Sequence, residues 1–194
     1  MNRKNTYSEE PVLETERLVL RAFTMNDIDD IYEYASVAKV SEFLPWEMHK
    51  TKEDTVAFLK SVKEKFKSSD NIDWGIELKY EKKLIGGISI RKWNDQNRCA
   101  DVGYVISDKY WNKGIATEAL ISVVKFGFNI LHVNRIEAHC ADQNIGSYKV
   151  MQKVGMKYEG TLREKVFMKG NFINMKFYSI LKREFHELFE AHNK

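Results

Sequence analysis

Proline, cysteine and long apolar runs are all scarce in this chain. Of its 194 residues only two are proline and two are cysteine, while 43% are hydrophobic. That balance excludes a proline-rich linker and suits one domain large enough to bury its own core. Cys99 and Cys140 form no CxxC pair and no metal-ligand spacing with the five histidines. A disulfide framework and a metal site are therefore not expected, and both cysteines read as reduced thiols in strand-like segments. His49, His132, His139, His186 and His192 have no acid or nucleophile at a telling spacing, so no role is assigned to them. No apolar run approaches the ~20 residues needed to span a bilayer, and the opening MNRKNTYSEEP lacks the apolar centre of a signal peptide. A soluble, cytoplasmic protein with no membrane partner is expected. The net charge of +3 is small and its positive residues alternate with acids, which argues against nucleic acid as a partner.

The best-marked stretch is Tyr110 to Leu120, YWNKGIATEAL. It has neither the two glycines, Lys and Ser/Thr of a nucleotide P-loop nor the three glycines of a dinucleotide fingerprint, because Gly114 stands alone. What it has is a short loop after a strand-like segment, running into a helix whose apolar positions Ala116, Leu120, Val124 and Phe128 recur at helical spacing. Main-chain N–H groups of such a turn, with those of the first helical residues, converge on one point and favour an anion there. A diphosphate would fit.

Around this loop the periodicity predicts a half-buried strand at 17–23, a helical stripe through Ile28, Ile31 and Ala35 capped by Thr24 or Asn26, and a break at 43–48. A second helix is expected from about Lys52 to Phe66, then three strands near 74–80, 84–93 and 98–106. The central helix, 114–131, leads to a strand at 135–141 and a shorter helix from Asn144 that stops at Gly155. Strands near 157–159, 162–169 and 174–181 close the pattern. This order predicts an α/β protein with a central mixed, largely antiparallel sheet flanked by helices. Residues 1–11 are expected to be a mobile tail, 12–182 the domain, and 183–194 a helical tail that packs on the domain or on a second subunit, a homodimer in the latter case.

Several blocks in order carry a family resemblance: LETERLVLRAFTMNDIDDIYEY (13–34), FLPW (43–46), DWGIEL (73–78), LIGGISI (84–90), the Gly114 loop, RIEAHCADQNIGSYKVMQKVGMKYEGTLRE (135–164) and GNF (170–172). Together they resemble the GNAT family of acetyl-CoA-dependent N-acetyltransferases, and within it the RimJ/RimL type that acts on N-termini of ribosomal proteins. The resemblance spans about Val12 to Leu181.

It implies the GNAT fold, acetyl-CoA as cofactor and a primary amine as acceptor. Trp111, Asn112, Lys113, Gly114, Ile115, Ala116 and Thr117 would face the diphosphate, with Lys113 adding a positive charge to the phosphates or to solvent. Tyr104, Val105 and Ile106 would offer backbone groups where their strand splays from its neighbour at a bulge, to which Gly103 would be suited. Asn144 and Ser147 match an N-x-x-S pattern that brings a hydroxyl near the cofactor's sulfur, where Ser147 would donate to the departing thiolate. Many relatives use a tyrosine seven residues after that Asn; here the position is Met151. Asp101 is the first candidate for general base. Glu118 and Glu164 are weaker ones, and a glutamate of some relatives is replaced here by Val166. Trp46, Trp74 and Phe172 would line the acceptor pocket.

An α-amine with pKa near ~8 is roughly a tenth neutral at pH 7, a lysine at ~10.4 only about four parts in ten thousand. A site without an obvious strong base therefore suits a protein N-terminus. A small-molecule amine such as a polyamine, an amino acid or an aminoglycoside, and a non-catalytic acyl-CoA-binding module, stay open because one scaffold serves many functions.

Overall fold

Alternation dictates the first full strand: Leu18 and Leu20 are buried while Val19 and Arg21 are not, as one face of a pleat requires. The computed structural model describes residues 10–68, 71–94 and 96–189. Its strands are β1 (Leu13–Glu14), β2 (Leu18–Ala22), β3 (Ile72–Leu78), β4 (Lys83–Asn94), β5 (Cys99–Ile106), β6 (Arg135–Ala141), β7 (Lys157–Met168) and β8 (Asn171–Leu181). Its helices are α1 (Ile28–Ala35), α2 (Ala38–Ser41), α3 (Lys52–Ser68), α4 (Ile115–Asn129), α5 (Ile145–Lys153) and α6 (Lys182–Phe189).

The eight strands form one sheet in the order β1-β2-β3-β4-β5-β6-β8-β7. Only β5 and β6 run parallel, joined through α4; every other neighbouring pair is antiparallel. The mixed, largely antiparallel sheet flanked by helices is thus observed. One face carries Ala100, Val102, Ile136 and Ala138 against Leu120, Val124 and Phe128 of α4. On the other, Leu84 packs in a smaller core with Ile31 of α1 and Leu59 of α3, joined by half-buried Val105.

Two features differ from the sequence reading. The two strand signals expected near 157–159 and 162–169 are one strand, β7, whose register against β8 shifts twice, between Tyr158 and Gly160 and between Leu162 and Val166. The short β1 and α2 had no periodicity to reveal them. Of the two placements expected for the terminal helix, α6 takes the first: Phe185 is buried and packs on Phe128 at 5.5 Å between ring centroids, so the helix seals the core of its own domain. Of the expected tails, residues 1–9 and 190–194, with His192, lie outside the described residues. Gly155 follows α5 at φ +88°, the left-handed conformation anticipated for that stop.

Candidate active site

Strands β5 and β6 pair only over Cys99–Val102 and Arg135–Ala138. Beyond the last pair, Val102 with Ala138, each strand keeps its outer partner. β5 continues on β4 as far as Ile106, and β6 continues on β8 as far as Ala141. The sheet therefore opens at its centre into a cleft, with Gly103 to Ile106 along one wall. Splaying was expected at a bulge near Gly103. In fact β4 and β5 stay in register through that residue, and their irregularity lies between Arg91 and Asn94. Gly103 serves another purpose: a Cβ there would meet the guanidinium of Arg91 at 2.9 Å. It makes room for the arginine that pairs with Asp101.

Next to the cleft, the loop after β5 turns into α4 through two left-handed residues, Asn112 (φ +62°) and Gly114 (φ +77°). Such alternation gathers successive main-chain N–H groups into a concave anion nest. The first bond closing onto the loop runs from Glu118 N–H to the carbonyl of Gly114 (3.0 Å), which leaves the N–H groups of residues 115–117 without an intrahelical acceptor. The site thus fits a diphosphate. Trp111 is exposed and its indole donates to the carbonyl of Ile106 (2.7 Å), so that carbonyl already has a partner. The ammonium of Lys113 lies 5.1 Å from the ring centroid of Tyr110. Ile115 buries its side chain and offers the site only its main chain.

The loop is braced from the turn between β1 and β2, which the sequence did not suggest. Arg17 donates through Nε to Glu118 (2.6 Å) and through Nη1 to the carbonyl of Lys113 (3.0 Å). Thr15 and the main chain of Arg17 bond the other oxygen of Glu118. Burial raises the Glu118 pKa, but these bonds outweigh it and hold the carboxyl below its ordinary range. Its hydrogen bonds to Thr15 and Arg17 make Glu118 a brace for the loop and leave it ill suited to accept a proton. Glu118→Gln keeps the shape but removes the charge. It is expected to weaken acetyl-CoA binding about fivefold in calorimetry, a loss of roughly 1 kcal/mol.

Across the cleft, Asn144 caps α5 by accepting from Ser147 N–H (3.1 Å). The phenol of Tyr104 spans the gap from β5, donating to the carbonyl of Ser147 (2.9 Å) and lying 3.1 Å from its hydroxyl. In the second contact either hydroxyl can donate, so the Ser147 proton is not committed to the phenol. Burial pushes the Tyr104 pKa up, so it stays protonated. Tyr104, expected to act through its main chain, thus contributes its hydroxyl too. Cys140 and Cys99 are free thiols whose pKa values burial pushes up.

Asp101 sits on the opposite face of the sheet. Oδ1 accepts from Arg91 Nε (2.6 Å), and Oδ2 lies 3.1 Å from His139 Nδ1. Burial raises its pKa, but the hydrogen bond with His139 and the charge of Arg91 outweigh that and hold it below the ordinary carboxylate range. With both oxygens engaged, this carboxylate is shaped to orient its neighbours more than to accept a proton.

The three aromatic candidates do not meet in one wall. Trp74 has no exposed surface and donates its indole N–H to the carbonyl of Pro11 (2.6 Å), which makes it a core residue and corrects the pocket role expected of it. Trp46 packs on the smaller core, 5.6 Å from the ring of His49. Phe172 is 66% exposed at the β7–β8 hairpin, packed on Phe167. Lys169 at that hairpin reaches the carbonyl of Ser41 (2.7 Å), which ties its tip to the end of α2, just before the FLPW segment.

A sheet parted at its centre, with an anion-binding helix start beside the gap, defines an α/β protein built to hold an extended, phosphate-bearing cofactor. Residues 17–157 match the family model described as an acetyltransferase (GNAT) domain, and the chain belongs to the GNAT family of acetyltransferases. Among its relatives, the uncharacterized N-acetyltransferase YnaD of Bacillus subtilis is 36% identical, covering 88% of this chain and 96% of its own. A GNAT-family acetyltransferase structure from Bacillus anthracis is 30% identical with a TM-score of 0.80, over 90% of this chain and all of that one. The spermidine N-acetyltransferase of Vibrio cholerae in complex with CoA and spermine shares the fold, with a TM-score of 0.75 at 21% identity over 88% of this chain and 99% of that one.

Proposed function

We propose that this protein transfers an acetyl group from acetyl-CoA to a primary amine by direct attack in a ternary complex, and that the amine is a protein N-terminus, as in the RimJ/RimL type. The observation that carries the reading is the parting of β5 from β6 after Val102 and Ala138, beside the loop of Asn112 and Gly114. Bound acetyl-CoA would supply an activated acyl carbon and a thiolate leaving group. The main chain of Trp111 to Thr117 would hold its diphosphate, and the exposed edge of β5 at Tyr104 and Val105 its amides. Ser147 would give up its hydroxyl proton at the sulfur, with Tyr104 holding the serine in position.

The acceptor enters from the face that carries Asp101, where the carboxylate is already committed to Arg91 and His139. An amine that is partly neutral at physiological pH suits such a site better than an ordinary lysine. Two free thiols suit a reducing, cytoplasmic setting.

The test is a panel of short peptides with varied N-termini, set against spermidine, spermine and free amino acids, read by release of the CoA thiol. Peptides are expected to give the highest kcat/KM. A preference for a polyamine or another small amine would reject the N-terminal acceptor, and binding of acetyl-CoA without thiol release for any amine would reject catalysis.

A further inference from the structure

Beside the last β5–β6 pair, on the face away from Ser147, lies a cavity of about 320 Å³ bordered by Lys92, Asp101, Glu137, His139, Lys165 and Phe177. His139 is the first residue of β6 past that pair, so it stands at the vertex where the sheet opens. Its ring is held on two sides. Phe177 stacks on it at 5.3 Å between centroids, and Asp101 faces Nδ1. A carboxylate kept ionised by Arg91 can only accept, so Nδ1 carries the hydrogen and the lone pair of the neutral imidazole lies on Nε2. The side chain remains 30% exposed, and among the described residues Nε2 has no hydrogen-bond partner.

We propose that His139 is the group that takes the proton from the acceptor amine, and that Asp101 is its positioning residue. This rests on the acetyl-transfer reading above and adds the base that reading lacks. The ammonium N–H bond breaks and its proton bonds to Nε2, while the nitrogen keeps the electron pair. That pair forms the C–N bond as the C–S bond breaks; the sulfur leaves with its electrons and takes a proton from Ser147 on the opposite face, and the second proton lost by the acylated nitrogen passes through solvent to restore the serine hydroxyl. Acid and base thus work from the two sides of one opening, which keeps the incoming and departing groups apart.

The charged and titratable groups around the ring are Arg91 and Lys92 from β4, Cys99 and Asp101 from β5, Glu137 from β6, and Lys165 from β7. Their mixture of signs sets a local field that the tests must leave intact. For that reason the informative variants are His139→Gln, which removes the titrating ring, and Asp101→Asn, which preserves shape but lets an amide nitrogen donate to Nδ1 and so favours the wrong tautomer.

Two measurements test the assignment. Long-range 1H–15N spectra of the free, full-length protein are expected to show the neutral His139 ring as the Nδ1–H tautomer, shifting toward Nε2–H in Asp101→Asn. In kinetics, His139→Gln is expected to lower kcat by about 10²- to 10⁴-fold, with loss of the acid limb of its pH profile and an unchanged acetyl-CoA Kd. An Nε2–H tautomer in the wild-type protein, or a His139→Gln kcat within threefold of wild type, would overturn the assignment alone. Absence of acetyl-CoA binding by the folded wild-type protein would overturn the underlying reading with it. Should His139→Gln fail to fold, Asp101→Asn answers the same question: a kcat reduced at least tenfold supports the pair, and an unchanged one rejects it.

Discussion

Trp74→Ala is expected to lower the unfolding free energy by about 3–5 kcal/mol, the usual range for truncating a large buried aromatic. The side chain has no exposed surface, meets Phe126 of α4 edge-on at 5.5 Å between centroids, and bonds the carbonyl of Pro11. Alanine leaves a cavity between the sheet and α4 and strips that carbonyl of its donor, so the transfer, cavity and hydrogen-bond losses add. At roughly 2–4 °C per kcal/mol for a domain of this size, the melting midpoint should fall by on the order of 10 °C. Thermal and urea unfolding check this directly. The outcome also separates two roles: a tryptophan lining an acceptor pocket would raise KM while leaving the melting midpoint in place.

Gly114→Val is expected to weaken acetyl-CoA binding by about 5- to 150-fold, with the melting midpoint nearly unchanged. At φ +77° the residue starts α4 in a conformation open to glycine and strained for a β-branched side chain by about 1–3 kcal/mol. Space is not the obstacle, because the nearest atom to an added Cβ is an Arg17 nitrogen at 3.5 Å. The exposed loop can relax without the cofactor, but gathering its N–H groups around a diphosphate must restore the strained backbone. The penalty therefore falls on affinity, each 1.4 kcal/mol being a factor of ten. Calorimetric titration with acetyl-CoA, alongside the melting curve, distinguishes this from general destabilisation. An unaltered Kd would remove Gly114 from the cofactor site.

How much of the site could be read in advance depended on whether its residues are neighbours in the chain. Asn144 and Ser147 lie three apart, so a local cap pattern reveals them, and the same holds for the one-glycine loop opening α4. Arg17 and Glu118 are 101 positions apart, and no periodicity joins them. His139 looked inert for the same reason: Asp101 becomes its partner only because β5 and β6 run side by side in parallel, with Val102 opposite Ala138. Trp74 misled in the other direction, because a tryptophan in a strand looks the same in sequence whether it lines a pocket or plugs a core.

From sequence alone came most of the elements, their order, the family and the anion loop. All but the family follow from local preferences: alternation for strands, the 3.6-residue period for α4, and a lone glycine where the chain must turn left-handed. Tertiary structure decided where the sheet parts, which carboxylates are free, and which histidine has a carboxylate at its Nδ1. Those properties depend on strand register and on charges brought together from distant segments, and such pairings arise only when the chain closes on itself.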